Sequence, residues 1–529
     1  MSFSSLTFIV FVTVVFIGYY ILPKKAQWLW LLIVSYIFYT WSTPYFVLFL
    51  IFSTLTTWAF SIYIGDVNEK QLKYLNSQQG KLLSREDKKK YKMSQTNKKK
   101  LILLVCLICN IGILVFLKYT NLFIYMVDRL GANITPLDWL ILPLGISFYT
   151  FQSVGYSIDV YRDVAKPQKN LLRYALYVSY FPQICQGPIG QYNELSDQLY
   201  KSHDFNYSKF VYGIERVLFG LFKKLVIANR IAIFVNPIYQ DIYNYSGLVI
   251  AFATFMYAFQ LYADFSGYMD IAIGVSECLG IELSENFQTP YFSRSIAEFW
   301  RRWHITLGTW FRNYLYYPIL RSGWCSKIGK YFSEKGYKKF AQILTTVIGL
   351  TITWILIGMW HGASFHYVVY GIYHGFFIVT SVIFGDLYIR AKTKLHICEN
   401  NKIWNIFQIF RTFLIVCFSY IFFKSTSMSV AFTIIKKIIV DMFLVPVQFI
   451  DLKSAVLSYL SMFQLEVLLL AILIVFVVEI VDLKYSFHDW FRKQNIATKW
   501  SFLYIIIISI IFLGCYGYND ASTFIYFQF

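Results

Sequence analysis

The sequence predicts an all-α, polytopic membrane protein, and three observations carry that expectation. Its 529 residues are 57% hydrophobic and only 15% charged, with a mean hydropathy of +0.51, which is more apolar surface than a water-soluble core can bury. The apolar residues gather into runs of bilayer-crossing or near-crossing length, at 6–21, 29–41, 45–64, 101–117, 345–360, 463–481 and 502–513. Lys and Arg fall between the runs, where they set orientation.

The first run, 6–21, has no basic residue before it and no small-residue cleavage site after Tyr20, so it reads as a first helix and not as a secretory signal. Two further runs follow, and then residues 66–100 carry eleven Lys or Arg against four acidic residues. By the positive-inside rule this stretch is cytoplasmic. Three crossings before it put the N-terminus outside, Lys24 and Lys25 inside, and the 42–44 turn outside. The stretch itself, near 65–100, is expected to be a solvated loop with some helix at 86–92, where helix formers concentrate.

Residues 162–173, 321–339, 390–402 and 484–499 are further basic segments expected in the cytoplasm, which leaves the 519–529 tail outside. The count comes to roughly eleven crossings. Residues 171–188 are a candidate re-entrant segment. No fixed-period repeat and no Pro/Gly/Ser linker divides the chain, so 1–529 reads as one membrane domain, with 425–529 as its variable C-terminal helices.

The net charge of +19 is dispersed over these loops and gives no sign of a nucleic-acid partner; the bilayer accounts for it. Eight cysteines are scattered. The C-x-x-C of Cys106 and Cys109 lies inside an apolar run with no second pair at metal-site spacing, so it reads as small apolar filler, and no metal site is expected.

Segments 263–290 and 291–318 mix aromatic, charged and glycine residues at a density that a plain lipid-facing helix does not tolerate, and are expected to line a cavity or lie at an interface. Within them, 295–316 sets Arg301, Arg302 and Arg312 among Trp300, Trp303, Trp310 and tyrosines, an interfacial-helix composition. Of the seven histidines, His304, His361 and His374 fall in aromatic or glycine-bracketed settings near or within apolar runs.

His361, in GMWHG at 358–362, lies about 33 Å of helix beyond Lys339 and is therefore deep or toward the outer half. An imidazole there can take a proton from a hydroxyl, with the flanking glycines letting a substrate approach; the alternative is a packed, hydrogen-bonded histidine. His304, beside two arginines, has an interface anchor as its alternative reading. Arg301 and Arg302 suit either coenzyme phosphates or lipid headgroups. His374 reads first as a supporting hydrogen-bond residue. Asp264 and Asp270, six residues apart and not on one helical face, read as polar glue between helices before catalysis.

Ordered blocks carry a family resemblance. They are GISFYTFQ at 145–152, YFPQ at 180–183 with GPI at 187–189, DFSGY at 264–268, ENF at 285–287 with Pro290 and Tyr291, FWRRWHITL at 299–307, WFRNYLY at 310–316, and His361 57 residues after His304. Over roughly 5–425 the chain resembles the membrane-bound O-acyltransferase family, in its bacterial alginate O-acetyltransferase-like branch. The resemblance implies a ring of transmembrane helices, with re-entrant or interfacial helices, around a thinned core and a central tunnel. It also implies a catalytic His361, with His304 as a second active-site contributor. Arg301, Arg302, Trp303, Trp360, His374, Asn286 and Asp264 are the candidates for substrate or donor contact.

The implied donor is cytoplasmic acetyl-CoA, with no bound cofactor. The implied acceptor is a cell-wall or extracellular polysaccharide, reached through an extracytoplasmic or membrane-anchored serine-hydrolase-like partner at the bacterial cytoplasmic membrane. The segment ILRSG at 319–323 departs from the Gly-Gly-basic pattern usual after this motif in alginate-type members, which puts alginate itself in doubt. Transfer of D-alanine from an acyl-carrier thioester to teichoic acid is the rival within the class, and a polysaccharide or lipid-linked-sugar transporter the rival outside it.

Overall fold

The computed structural model describes residues 1–516 apart from 43, 133, 138–139, 398–400, 442–447 and 486. The expectation for the 519–529 tail, and Thr43 of the 42–44 turn, lie outside the described residues. Within them the protein is predominantly helical and forms no strand; a single isolated antiparallel bridge joins Phe287 to Trp303.

Among the described residues, eight helices are long and apolar enough to cross a bilayer: Pro44–Asn76, Arg85–Val127, Gly247–Cys278, Lys338–His361, Phe365–Ile383, Lys402–Lys424, Met462–Asp482 and Ile496–Leu513. Leu6–Ile21 is a shorter apolar helix. The expected count of roughly eleven is larger. Between residues 146 and 240 the chain breaks into shorter helices, and Leu171–Ser179 and Phe181–Ile184 are short buried pieces on either side of Tyr180.

The chain divides into two compact units. One comprises Phe3–Ile214 and Ala272–Ser284; the other, Glu215–Ile271 and Glu285–Phe529.

In the first unit, helices Val47–Asn76, Arg85–Val127 and Ile146–Tyr161 pack together. Lipid removes the usual hydrophobic drive between helices, and small hydroxyls let the backbones close in. Ser53 meets Ser153 at 3.1 Å, Ser61 meets Ser157 at 3.3 Å and Thr57 meets the Tyr174 hydroxyl at 2.8 Å. Cys106 joins the same seam, its Sγ 3.7 Å from Ser157 Oγ.

The Lys-rich stretch is helical and not the loop that its charge suggests. Val47–Asn76 continues well past the apolar run, Gln78–Leu82 adds a turn, and Arg85–Val127 starts sixteen residues before its apolar part. Ser77 and Ser84 cap the restarts, accepting from the N–H of Gly80 and of Asp87. The Tyr74 and Tyr91 rings, 4.6 Å apart, clasp the two extensions.

In the second unit, Lys338–His361 and Phe365–Ile383 form a tight helical hairpin, and Lys402–Lys424 packs on its second arm. The crossing depends on two glycines. A Cβ on Gly358 would sit 2.5 Å from the Tyr367 carbonyl oxygen, and one on Gly371 2.3 Å from that of Trp354. Gly362 lies against the Tyr367 ring, where a Cβ would come within 2.2 Å. These glycines admit the neighbouring helix, not a substrate as the sequence reading expected.

A second close crossing sits at Gly220 and Gly267, where a Cβ on Gly220 would meet the Gly267 oxygen at 2.5 Å. It brings the π-helical turn Lys223–Ala228 beside Gly247–Cys278.

Candidate functional site

The site grows from the contact between residues 285–289 and 302–306, both in the second unit. Around the Phe287–Trp303 bridge, the Gln288 N–H donates to the Arg302 carbonyl at 2.9 Å and the Ile305 N–H to the Asn286 carbonyl at 3.0 Å. Two residues there adopt left-handed backbone, Thr289 at φ 44° and His304 at φ 47°. That conformation costs a β-branched threonine more than a histidine. Helix Ile296–Arg302 ends at Trp303 and Ile305–Phe311 restarts after His304, so the expected interfacial helix over 295–316 is broken at the histidine.

Asn286 is fully buried, and its Oδ1 accepts from the Thr306 N–H at 3.0 Å and the Thr306 hydroxyl at 3.0 Å. The same oxygen lies 3.3 Å from His304 Nδ1. An atom already accepting two bonds is an acceptor for the third, so the network assigns the His304 proton to Nδ1 and leaves Nε2 with its lone pair. His304 is 1% exposed, an interior residue and not an interface anchor. Burial pushes its imidazole down from 6.5 to about 3, so it is neutral at physiological pH.

Phe265 packs edge-on to the His304 ring at 4.9 Å, and Trp360 lies 5.9 Å away. Trp360 in turn is 4.9 Å from His361, so one indole links the two histidines. His361, 4% exposed, ends its helix between Tyr370 and Phe423, ring centroids at 5.4 and 5.2 Å, both edge-on.

Tyr370 continues to His374 at 4.8 Å. His374 is fully buried, with Nε2 3.0 Å from Ser419 Oγ, and the Ser419 hydroxyl donates to the Val416 carbonyl at 2.6 Å. His374 therefore donates from Nε2. It also packs on Trp300, 5.1 Å away, and supports the wall of the site from behind Tyr370.

The other candidates separate. Arg301 is exposed. Arg302 is engaged within the fold, paired to Glu298 at 2.8 Å and donating to Thr289 Oγ1 at 3.0 Å, where it braces the left-handed threonine. Trp303 is 2% exposed and stacks on Phe299 at 5.5 Å and edge-on to Phe287 at 5.0 Å, a packing role. Asp264 pairs with Lys224 at 2.6 Å, both 2% exposed at the side chain.

Sequence reading passed over Lys224 and also Arg216, Lys223 and Glu479. Arg216 grips Glu285 through both nitrogens at 2.6 Å and Asp270 at 3.2 Å, and Lys223 holds Asp270 at 2.7 Å. The available signal was charge inside apolar sequence, in the 215–235 stretch and in the 463–481 run. Arg216 thus anchors Glu285, the residue next to Asn286. Among the described residues no group of three or more His, Cys, Asp and Glu is arranged to hold a metal ion.

The family model for MBOAT, the membrane-bound O-acyltransferase family, matches residues 163–333, which include the His304 segment. A probable alginate O-acetylase AlgI of Pseudomonas syringae pv. tomato is 32% identical over 82% of this chain and 74% of its own length. The chain belongs to the membrane-bound O-acyltransferase family. It is an O-acyltransferase and a multi-pass membrane protein. Similarity extends to a peptidoglycan O-acetyltransferase of Helicobacter pylori, 29% identical over 80% of this chain and 77% of that one. A teichoic acid D-alanyltransferase of Bacillus subtilis is 30% identical over 54% of this chain and 69% of its own length.

Proposed function

We propose that this acyltransferase takes an acetyl group from acetyl-CoA at the cytoplasmic face of a bacterial cytoplasmic membrane and delivers it for O-acetylation of a cell-wall or extracellular polysaccharide. The observation that carries the reading is the pair of buried histidines joined through Trp360, set on the blocks that resemble the family. The acetyl reading is favoured over D-alanyl transfer because similarity to the alginate and peptidoglycan O-acetylating relatives runs over 80% or more of the chain, against 54% for the D-alanyltransferase.

In this reading His361 is the general base. Its imidazole withdraws the proton of an acceptor hydroxyl, the oxygen adds to the thioester carbonyl, the C–S bond breaks, and the coenzyme thiol leaves with the proton. His304, neutral and held in one tautomer by Asn286, presents Nε2 as an acceptor that orients the hydroxyl. Exposed Arg301 is the arginine free to meet a donor phosphate. An extracytoplasmic serine-hydrolase-like partner selects the final sugar, and the N-terminus lies outside.

The test is transfer of label from radioactive acetyl-CoA, in parallel with a D-alanyl carrier thioester, into membranes holding wild-type or His361→Ala protein with its partner. His361-dependent acetyl transfer is the expected result. Dependence on the D-alanyl carrier would replace the acetyl reading, and normal transfer by a well-inserted His361→Ala variant would remove His361 from the mechanism.

A further inference from the structure

The second unit contains two adjoining cavities of opposite character. The first, about 460 Å³, is walled by aromatic and aliphatic side chains of Gly247–Cys278, Lys402–Lys424 and Met462–Asp482. All three helices are long and apolar enough to span a membrane. Its rim residues Ile406, Phe410 and Phe476 are 66%, 59% and 47% exposed, as side chains facing hydrocarbon are. The second, about 420 Å³, is lined by Arg216, Lys223, Asp270, Glu285, Glu479 and Asp482 among others. Both volumes lie in the range of small-molecule sites, roughly 300–1,000 Å³.

Tyr262, Val475 and Glu479 line both cavities, which therefore meet. Glu479 stands at the junction. Its residue is 7% exposed, and its Oε1 has no hydrogen-bond partner among the described residues. Arg216 and Lys223 are already matched by Asp270 and Glu285. No ion pair engages Glu479 or Asp482 among the described residues; Asp482 is exposed at the end of its helix, whereas Glu479 is a buried carboxyl beside lipid, where an oxygen left without a bond is expensive.

We propose that this continuous space binds an aminophospholipid, with one acyl chain in the apolar cavity and the headgroup in the polar one. The ammonium meets Glu479 and Asp482, and the phosphate lies toward Arg216 and Lys223. A soluble cation has no use for the apolar arm, and a headgroup without N–H donors leaves Glu479 Oε1 unsatisfied. The alternating charges of the polar cavity match a zwitterion in which phosphate and ammonium are two carbons apart. This inference does not depend on the acyl-transfer reading.

The test is lipid retention by the full-length protein, delipidated in mild detergent and re-exposed to vesicles of phosphatidylethanolamine, phosphatidylcholine or phosphatidylglycerol with matched chains. Lipid retained after washing is counted by native mass spectrometry, and thermal stability is followed alongside. Wild type is expected to keep phosphatidylethanolamine over the other two, and Glu479→Gln to weaken that retention about tenfold, the loss of one charge-assisted bond. Val475→Trp, which fills the junction and keeps every charge, is the second variant and is expected to lose retention too. Equal retention of the three lipids by wild type, or undiminished phosphatidylethanolamine retention in both variants when folded, would overturn the proposal.

Discussion

At the scale of single residues, the two histidines on the family motif are in unlike states. His361 is set among the rings of Trp360, Tyr370 and Phe423, whereas His304 is locked by Asn286. His361→Ala is expected to lower transfer at least a hundredfold with membrane insertion retained, measured as label incorporation per inserted protein. His304 links stability to pH. Because burial lowers its pKa from 6.5 to about 3, the unfolded chain takes up a proton first as pH falls. Its contribution is fully present above pH 6.5 and is lost as pH drops toward 3. His304→Asn should therefore flatten the fall in melting temperature between pH 7.5 and 4.5; an unchanged slope would show that His304 is not buried neutral. The Lys224–Asp264 pair gives a third expectation. Lys224→Met alone should destabilise by about 3–5 kcal/mol, and Lys224→Met with Asp264→Leu should recover most of that, read from folded yield in detergent.

At the scale of elements, glycines at helix crossings decide where the chemistry sits. Gly358→Ala or Gly371→Ala must push backbone against backbone in the hairpin that ends at His361, since the nearest atoms to the new Cβ are carbonyl oxygens at 2.5 and 2.3 Å. Each is expected to reduce folded yield and abolish transfer. Gly323→Ala, where nothing lies within 4 Å, should do neither. The helical form of the Lys-rich stretch was partly legible. Ser84 followed three residues later by Asp87 is a capping pattern in the sequence, and the cap forms: the Asp87 N–H donates to Ser84 Oγ at 3.1 Å, and the Ser84 hydroxyl in turn donates to Asp87 Oδ2 at 2.7 Å. Charge density drew the reading toward a loop, but a charged helix needs only caps and one packed stripe, and Tyr74 against Tyr91 supplies contact on that stripe.

At the scale of the whole molecule, orientation is the property open to test. With residues 66–100 cytoplasmic, trypsin is expected to cut at Lys88, Lys89 or Lys90 in inside-out vesicles and to spare them in right-side-out ones. The opposite pattern would invert the proposed topology and place the donor on the wrong side. Membership of the family makes this outcome consequential, because an acyltransferase that draws on a cytoplasmic thioester needs its donor opening on that face.

The sequence by itself determined the membrane class, the candidate histidines and, among the described residues, the positions of five of the eight bilayer-length helices, while Gly247–Cys278, Phe365–Ile383 and Lys402–Lys424 emerged only in the structure. Each of these rests on local quantities: apolar length against bilayer thickness, charge against position, and ordered motif spacing. Tertiary structure alone decided that Asn286 orients His304, that Trp360 joins the two histidines, and that Arg302 and Trp303 serve the fold. It also decided that Lys223, Lys224 and Arg216 neutralise Asp264, Asp270 and Glu285. Those partners are 13 to 69 residues apart in sequence, from Thr289 and Arg302 to Arg216 and Glu285, and no periodicity encodes them. They form because a buried charge or donor in lipid must find its complement wherever the packing of helices brings one within reach.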